Sequence, residues 1–435
     1  TVLDEYNCDG SIMITASHLP YYYNGLKFFT KEGGCEKEDI KEILLEACKS
    51  EDEEKIFENK GNVLKVDLIS VYSKVLVDMI RKGANSKENY DKPLLGFKIA
   101  VDAGNGAGGF FAYKVLEVLG ANVSSSQFTE PDGTFPNHIP NPENKEAMDS
   151  IRNTVLANNA DIGIIFDTDV DRAAIVDSNG MEINKNALIA LISSIILEEH
   201  PKSVIVTDSV TSTGLSMIVL NEHPGATIVT NSPTSTHLQA FIESKGGKQD
   251  RYISGYRNVI NRALALNESG VDAQLAIETS GHAAFKENYF LDDGAYLIAK
   301  ILIKIAKLKA EGKRVECLIK ELKSPCESSD IRLEIREENF KEYGLKIVDD
   351  LEECVKNVNG FSIVKENYEG IRVNCDKNNG DGWFLLRLSL HEPVLALNIE
   401  SDIKGGTQII IDKLMDFLNR YEKLSKDSLR KVEVA

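Results

Sequence analysis

Short apolar runs, each breaking off into a polar or glycine-rich loop and then into a stretch of helical periodicity, recur along most of this chain. Ile12-Met13-Ile14, Phe97–Val101, Ile162–Phe166, Ser203–Thr207, Ala226–Val229 and Leu275-Ala276-Ile277 are such runs. They are too short for helices, and their continuous apolarity fits strands buried on both faces. Helical stretches alternate with them, at Asn144–Ala157, Ala187–Leu197, Ser212–Leu220, Ser235–Glu243 and Asp293–Ala310. That alternation predicts α/β layers, with a further α/β domain starting near Pro201. Past Ser324-Pro325 the pattern changes. A strand at Ile331–Ile335, a helix at Phe340–Val355, strands at Phe361–Lys365, Gly370–Cys375, Gly382–Leu388 and Val394–Ser401, and a last helix at Gly406–Tyr421 read as an α+β domain. A chain of 435 residues has room for three or four domains at about 100–200 residues each.

Composition limits the function classes. The net charge of −18 opposes nonspecific binding to nucleic acid or to an anionic membrane, so an anionic substrate would need local basic groups. Cys8, Cys35, Cys48, Cys317, Cys326, Cys354 and Cys375 are scattered without a CxxC pair, which fits reduced thiols inside a cell. No apolar run approaches the roughly 18 residues that span a bilayer, and Thr1–Glu5 has neither signal-peptide nor transit-peptide character.

The chemistry-bearing residues sit where the runs end. Thr15-Ala16-Ser17-His18-Leu19-Pro20 follows the first run, which reads as the end of a buried strand, and Asn24-Gly25-Leu26-Lys27 turns the chain shortly after. A hydroxyl beside an imidazole and a lysine suits a serine that accepts a phosphoryl group. Asp102 to Gly109 is a glycine-rich loop between a strand and a helix at about Phe110–Leu119, with a second strand-like piece at Ala121–Ser124. Its spacing is not that of a dinucleotide loop, and tight packing of helix on strand explains its glycines better. Ile162–Phe166 runs into Asp167-Thr168-Asp169-Val170-Asp171-Arg172. Carboxylates at i, i+2 and i+4 repel one another unless a cation lies between them, and a hard divalent ion such as Mg²⁺ takes such oxygens. Glu278-Thr279-Ser280-Gly281-His282 ends another strand and suits a hydroxyl-rich ligand. Arg387-Leu388-Ser389-Leu390-His391-Glu392-Pro393 can grip a phosphate by a guanidinium fork and neutral donors.

Taken in order, the four loops resemble the signatures of the α-D-phosphohexomutases of the phosphoglucomutase/phosphomannomutase type, here a divergent branch. The resemblance covers the whole chain and includes Val101–Gly106, Phe285-Lys286-Glu287 and Asp292-Asp293-Gly294. It implies three α/β domains and a fourth, α+β domain around a central cleft, divided here at 1–90, 91–199, 200–323 and 324–435. Ser17 is then the phosphoserine, with His18, Lys27 and Arg172 beside the transferring group. Asp167, Asp169 and Asp171 hold Mg²⁺ with a phosphoserine oxygen from Ser17. Glu278, Ser280 and His282 read sugar hydroxyls, and Arg387, Ser389 and His391 hold the second phosphate.

The implied activity is interconversion of hexose 1-phosphate and hexose 6-phosphate, of glucose, mannose or both, with a hexose 1,6-bisphosphate as intermediate and activator. Two rival readings stand beside it: a hexose-1,6-bisphosphate synthase or phosphatase, and a weakly catalytic regulator that binds sugar phosphate. The expected partner is a small phosphosugar, with no nucleic acid and no membrane, and the protein a monomer or homodimer. It is expected in the cytoplasm, or in a plastid if a targeting segment lies upstream.

Several positions depart from the family pattern. Leu19 stands where Asn is usual, Thr168 and Val170 replace glycines, Ile277 replaces the Gly before Glu278, and His391-Glu392 replaces a Thr-containing pair. Val170 is β-branched, so its position is expected to avoid positive φ. The pattern also has residues before the serine loop, so the first domain is expected to be incomplete and to expose sheet edge and core.

Overall fold

The computed structural model describes residues 8–31, 33–50, 61–183, 185–207, 227–230, 248–250, 256–278, 280–313, 325–364, 370–389 and 392–429. The helices expected at Ser212–Leu220 and Ser235–Glu243 lie outside the described residues. Two compact units emerge, one of Thr1–Asn184, Ser280–Ala283 and Leu291–Glu316, the other of Lys185–Thr279, Ala284–Phe290 and Cys317–Ala435.

The first unit begins with strands β1 (Gly10–Ile14), β2 (Leu26–Thr30) and β3 (Gly33–Gly34) in an antiparallel sheet, followed by helices α1 (Lys37–Ser50) and α2 (Leu68–Ala84). Ile12 and Ile14 are 59% and 76% exposed. The expectation of a buried strand here is therefore wrong. Apolarity selected the strand conformation, but among the described residues no layer covers this sheet.

The next sheet has the order β4-β5-β6-β7: β4 (Ile99–Asp102), β5 (Ile162–Phe166), β6 (Ala173–Asp177) and β7 (Glu182–Ile183). β4 and β5 are parallel, whereas β5, β6 and β7 run antiparallel. Every residue of β4, β5 and β6 is buried, as their unbroken apolarity requires. Helix α3 (Lys145–Asn158) starts at Asn144, whose side chain accepts from the Ala147 N–H. Its Ala147, Met148, Ile151 and Val155 pack on Ala100, Ile165, Ala174 and Val176, each fully buried aliphatic side chain contributing about 1.5–3 kcal/mol. Phe166 points the opposite way, edge-on to Phe111 at 5.3 Å.

Phe111 belongs to a segment expected as an ordinary helix over 110–119. Instead a 3₁₀ turn (Ala107–Gly109) leads into one stretch of π-helix (Phe111–Leu116). The crowding at its start is severe: a Cβ on Gly109 would sit 1.8 Å from the Thr129 carbonyl oxygen. Tight packing, not a nucleotide, accounts for this glycine. Ala121–Ser124 is not a strand; one isolated bridge joins its Asn122 to Lys98, just before β4.

In the second unit, helix α4 (Lys185–Glu199) precedes a sheet of order β10-β9-β8-β11-β12. Its strands are β8 (Val204–Thr207), β9 (Thr227–Thr230), β10 (Lys248–Asp250), β11 (Ala273–Ile277) and β12 (Ala283–Phe285), and the first four run parallel. Helix α5 (Tyr256–Glu268) packs on β8 and β11 through Val259, Ile260, Ala263 and Leu266. Helix α6 (Gly294–Ala310), which belongs to the first unit, is buried nearly all round and packs on α2.

The C-terminal region is the expected α+β layer. β13 (Glu327–Glu334), β17 (Val394–Ser401), β16 (Gly382–Leu388), β15 (Ile371–Cys375) and β14 (Phe361–Ile363) lie in that order, all antiparallel. Helices α7 (Phe340–Val355) and α8 (Gly406–Leu418) share one apolar core with this sheet. Among the described residues no helix is long and apolar enough to cross a membrane.

Candidate active site

The serine loop joins β1 to β2 and is tied across its neck by the Thr15 N–H donating to the Gly25 carbonyl at 3.0 Å. Inside the neck, the Thr15 hydroxyl accepts from the Ser17 N–H at 2.9 Å and donates to Asp169 Oδ2 at 2.9 Å. Ser17 itself has φ +54°, a left-handed conformation that costs a non-glycine residue energy and marks a constrained turn. Its Oγ lies 3.2 Å from His18 Nδ1. An Arg172 Nη2 donates to the same nitrogen at 2.7 Å. A guanidinium has no lone pair, so His18 Nδ1 must be the acceptor, and the neutral ring carries its proton on Nε2. Burial and the Arg172 charge lower the His18 pKa, in agreement with that tautomer.

The aspartate loop closes on itself. The Asp167 N–H donates to the Arg172 carbonyl at 3.3 Å, and the Arg172 N–H returns to Asp167 Oδ1 at 3.1 Å. Two outside donors pin its crest: the Ala107 N–H on the Thr168 carbonyl at 2.8 Å and the Gly294 N–H on the Val170 carbonyl at 2.9 Å. Contrary to expectation, Val170 takes φ +67° while its side chain stays buried. The conformation costs about 1–3 kcal/mol for such a residue, and those fixed carbonyls are what can hold it there.

The carboxylates of Asp167, Asp169 and Asp171 offer oxygens within 4.8 Å of one another. Lys27 Nζ bridges Asp169 at 3.2 Å and Asp171 at 2.9 Å. Burial opposes its charge, but Asp171 and Asp169 raise the ammonium above its ordinary range. Arg172 Nε donates to Asp167 Oδ2 at 3.0 Å, with both side chains nearly inaccessible. Two cations thus face three carboxylates. Burial, together with Asp171, pushes the Asp167 carboxyl well up, whereas Asp171, though also raised by burial, is drawn down to about 2 by Asp167, His282 and Lys27. Asp169 Oδ1 and Asp171 Oδ1 are buried without a hydrogen-bond partner. Hard, converging oxygens with unused lone pairs and a charge deficit fit a divalent cation such as Mg²⁺.

His282 joins this group. Its Nε2 lies 3.9 Å from Asp171 Oδ1, its Nδ1 is 2.8 Å from Ser280 Oγ, and burial lowers its pKa to about 4, leaving the ring neutral at pH 7. Ser17, His18, Lys27, Asp167, Asp169, Asp171, Arg172, Ser280 and His282 therefore meet within the first unit. Glu278 lies in the second unit, buried at the end of β11. Also in that unit, Arg387 stands on β16 and Ser389 just beyond it, where the Ser389 N–H donates to the Val394 carbonyl at 2.9 Å and Ser389 Oγ accepts from the Glu392 N–H at 3.3 Å. His391 lies outside the described residues.

Sequence reasoning missed Thr15, Asn141 and Glu143. Asn141 Oδ1 accepts from Arg172 Nη1 at 3.4 Å, and Glu143 pairs with the same nitrogen at 3.6 Å. Thr15 could have been found from its place in the serine loop; nothing in the proline-rich loop singles out the other two. Replacing Thr15 by Val keeps the shape but removes both hydroxyl bonds. We expect the variant to lose about tenfold in kcat with little change in KM, as for a positioning bond. Thr15→Ser should restore the rate in steady-state kinetics; if it does not, the hydroxyl is not what matters.

Models of the phosphoglucomutase/phosphomannomutase α/β/α domains match in order: domain I over residues 1–55, domain II over 74–180 and domain III over 215–325. A phosphomannomutase of Methanocaldococcus jannaschii is 30% identical over 419 residues, covering 95% of this chain and 80% of the relative. A phosphoglucomutase of Neisseria meningitidis is 29% identical over 405 residues, covering 93% and 76%. The crystal structure of a phosphoglucomutase/phosphomannomutase family protein from Burkholderia thailandensis shares the fold with a TM-score of 0.70 at 24% identity, over 98% of this chain and 78% of that one. With three domain models in sequence and relatives aligned along nearly its whole length, this chain belongs to the phosphoglucomutase/phosphomannomutase family.

Proposed function

We propose that this protein is a hexose-phosphate mutase that interconverts the 1- and 6-phosphates of glucose, mannose or both through a phosphoserine at Ser17 and a hexose 1,6-bisphosphate. One observation carries the reading. Hydrogen bonds from Thr15 to Asp169 and from Arg172 to His18 join two loops separated by 154 residues, so a serine, two cations and three converging carboxylates share one place. Phosphoryl transfer needs positioning and charge stabilisation more than covalent help.

A Mg²⁺ held by Asp167, Asp169, Asp171 and a phosphoserine oxygen would neutralise charge on the transferring phosphoryl group. Lys27 and Arg172 add fixed positive charge on the same oxygens. When Ser17 takes a phosphoryl group back, its hydroxyl proton must leave; His18 Nδ1, 3.2 Å from Oγ, would hold it once the Arg172 Nη2 now bonded to that nitrogen turns to the phosphoryl oxygens. Glu278, Ser280 and His282 are assigned to the sugar hydroxyls. Arg387, Ser389 and His391 are assigned to the phosphate that is not reacting. The bisphosphate must turn round between the two transfers, so a distal clamp and a hydroxyl reader that accept both orientations suit the task. Division into four domains at 1–90, 91–199, 200–323 and 324–435 accompanies this reading.

The test is to incubate the protein with glucose 1-phosphate or mannose 1-phosphate, Mg²⁺ and a trace of hexose 1,6-bisphosphate, and follow the 6-phosphate by ³¹P NMR. Isomerisation of at least one sugar, with label passing from ³²P-bisphosphate to the protein, is expected. Failure of both sugars together with an unlabelled protein would end the proposal.

A further inference from the structure

Helix α6 begins against the backbone of the aspartate loop. Besides the bond from its N–H to the Val170 carbonyl, Gly294 leaves no space: a Cβ there would lie 2.7 Å from the Arg172 carbonyl carbon, 2.8 Å from its oxygen and 3.0 Å from the Val170 oxygen. Asp293 fixes this helix end from three sides. Its carboxylate accepts from the Tyr296 N–H at 2.9 Å and from the Tyr72 hydroxyl of α2 at 2.6 Å, and its N–H donates to the Ala283 carbonyl at 3.3 Å. Burial and the Asp293 charge raise the Tyr72 phenol far above its ordinary pKa, so it remains a donor.

Val170 lies between Asp169 and Asp171 and is β-branched at φ +67°. A residue of this type relaxes toward extended backbone unless its peptide groups are held. Relaxation would rotate the two flanking carboxylates away from Lys27, on which both converge at 3.2 and 2.9 Å. The Thr168 carbonyl is held from the other side by Ala107, which leaves the α6 end as the hold on Val170 itself.

We propose that Gly294 is a positioning residue: by letting the α6 N-terminus bond the Val170 carbonyl, it holds Val170 in the left-handed conformation and presets Asp169 and Asp171 for a divalent cation. This rests on the reading of the aspartate loop as a metal site. A glycine at 170 would need no such hold, so the dependence on Gly294 belongs to the valine.

The experiment is a calorimetric Mg²⁺ titration of the full chain as wild type, Gly294→Ala, Val170→Gly and the double variant, with circular dichroism to confirm folding. Gly294→Ala should weaken Mg²⁺ binding by about tenfold or more. In the Val170→Gly background the same change should cost less than about threefold. Wild-type affinity in Gly294→Ala, or an equal loss in both backgrounds, overturns the proposal. If Gly294→Ala does not fold, Tyr72→Phe, which removes one bond to Asp293 and adds no bulk, takes its place. It should weaken Mg²⁺ binding with Val170 and not with Gly at 170, and identical behaviour in the two backgrounds overturns the proposal. A wild type that binds no Mg²⁺ would remove the metal reading itself, a result distinct from either variant outcome.

Discussion

Replacing Ser17 with Ala should abolish interconversion of hexose 1- and 6-phosphates while leaving sugar-phosphate binding in place. The loss follows from chemistry rather than folding. The Ser17 side chain is only partly buried and has one neighbour of note, His18 Nδ1 at 3.2 Å. The turn is set by the Ser17 N–H on Thr15 Oγ1, which Ala keeps. Ala at φ +54° is strained no more than Ser, so the loop should survive. What disappears is the oxygen that receives the phosphoryl group, and no other group replaces a lost nucleophile. Turnover is expected to fall at least about a thousandfold, the ³²P label from hexose 1,6-bisphosphate should not reach the protein, and the Kd for hexose 6-phosphate should stay within about threefold. Intact mass gives an independent check: wild type should carry a phosphate that the variant lacks. Retained turnover in Ser17→Ala would move the nucleophile elsewhere.

Much of this site was legible because the chain places its chemistry at strand ends. Ile162–Phe166 could only be a buried strand, and the alternating carboxylates after it pointed to a candidate cation site before any contact was visible. The ends of other apolar runs offered Ser17, Glu278 and Arg387 as candidates. Features created by distant contacts were not legible. Val170 argues locally against positive φ, and the atoms that hold it there come from Ala107 and Gly294, one in a glycine loop and one at a helix start. Ile12 and Ile14 read as buried because apolarity reports conformation and preference, not whether a covering layer is present. The π-helix at Phe111–Leu116 follows a turn in which Gly109 passes close to Thr129, a contact that spacing in sequence does not encode. Asn141 and Glu143 touch Arg172 only because the proline-rich loop passes beside it.

Asp167 and Asp169 should separate when each is removed, because Asp167 anchors Arg172 as well as offering a metal ligand. Asp167 is fully buried and receives two bonds from Arg172, itself 1% exposed. Asp167→Ala leaves that guanidinium with the more distant Asp171 at 3.8 Å and Glu143 at 3.6 Å. Breaking a buried pair in this way costs about 3–5 kcal/mol, a fall of roughly 6 °C or more in Tm. Asp169 differs. Its Oδ1 is buried without a partner, and its charge lies beside two other carboxylates. Asp169→Ala costs the Thr15 and Lys27 bonds but relieves repulsion and leaves Lys27 paired with Asp171. Its metal-free Tm should stay close to wild type, within about 1 kcal/mol of stability. Mg²⁺ should then discriminate in a second way. A ligand at 100 times its Kd stabilises the folded state by about 2.7 kcal/mol, so wild type should gain in Tm with Mg²⁺ and both variants should not. Thermal melts of the three proteins in EDTA and in excess Mg²⁺ measure these quantities together. Equal destabilisation by the two substitutions would refute Asp167 as the partner of Arg172, and a Mg²⁺-dependent rise in either variant equal to that of wild type would remove its carboxylate from the ligand set.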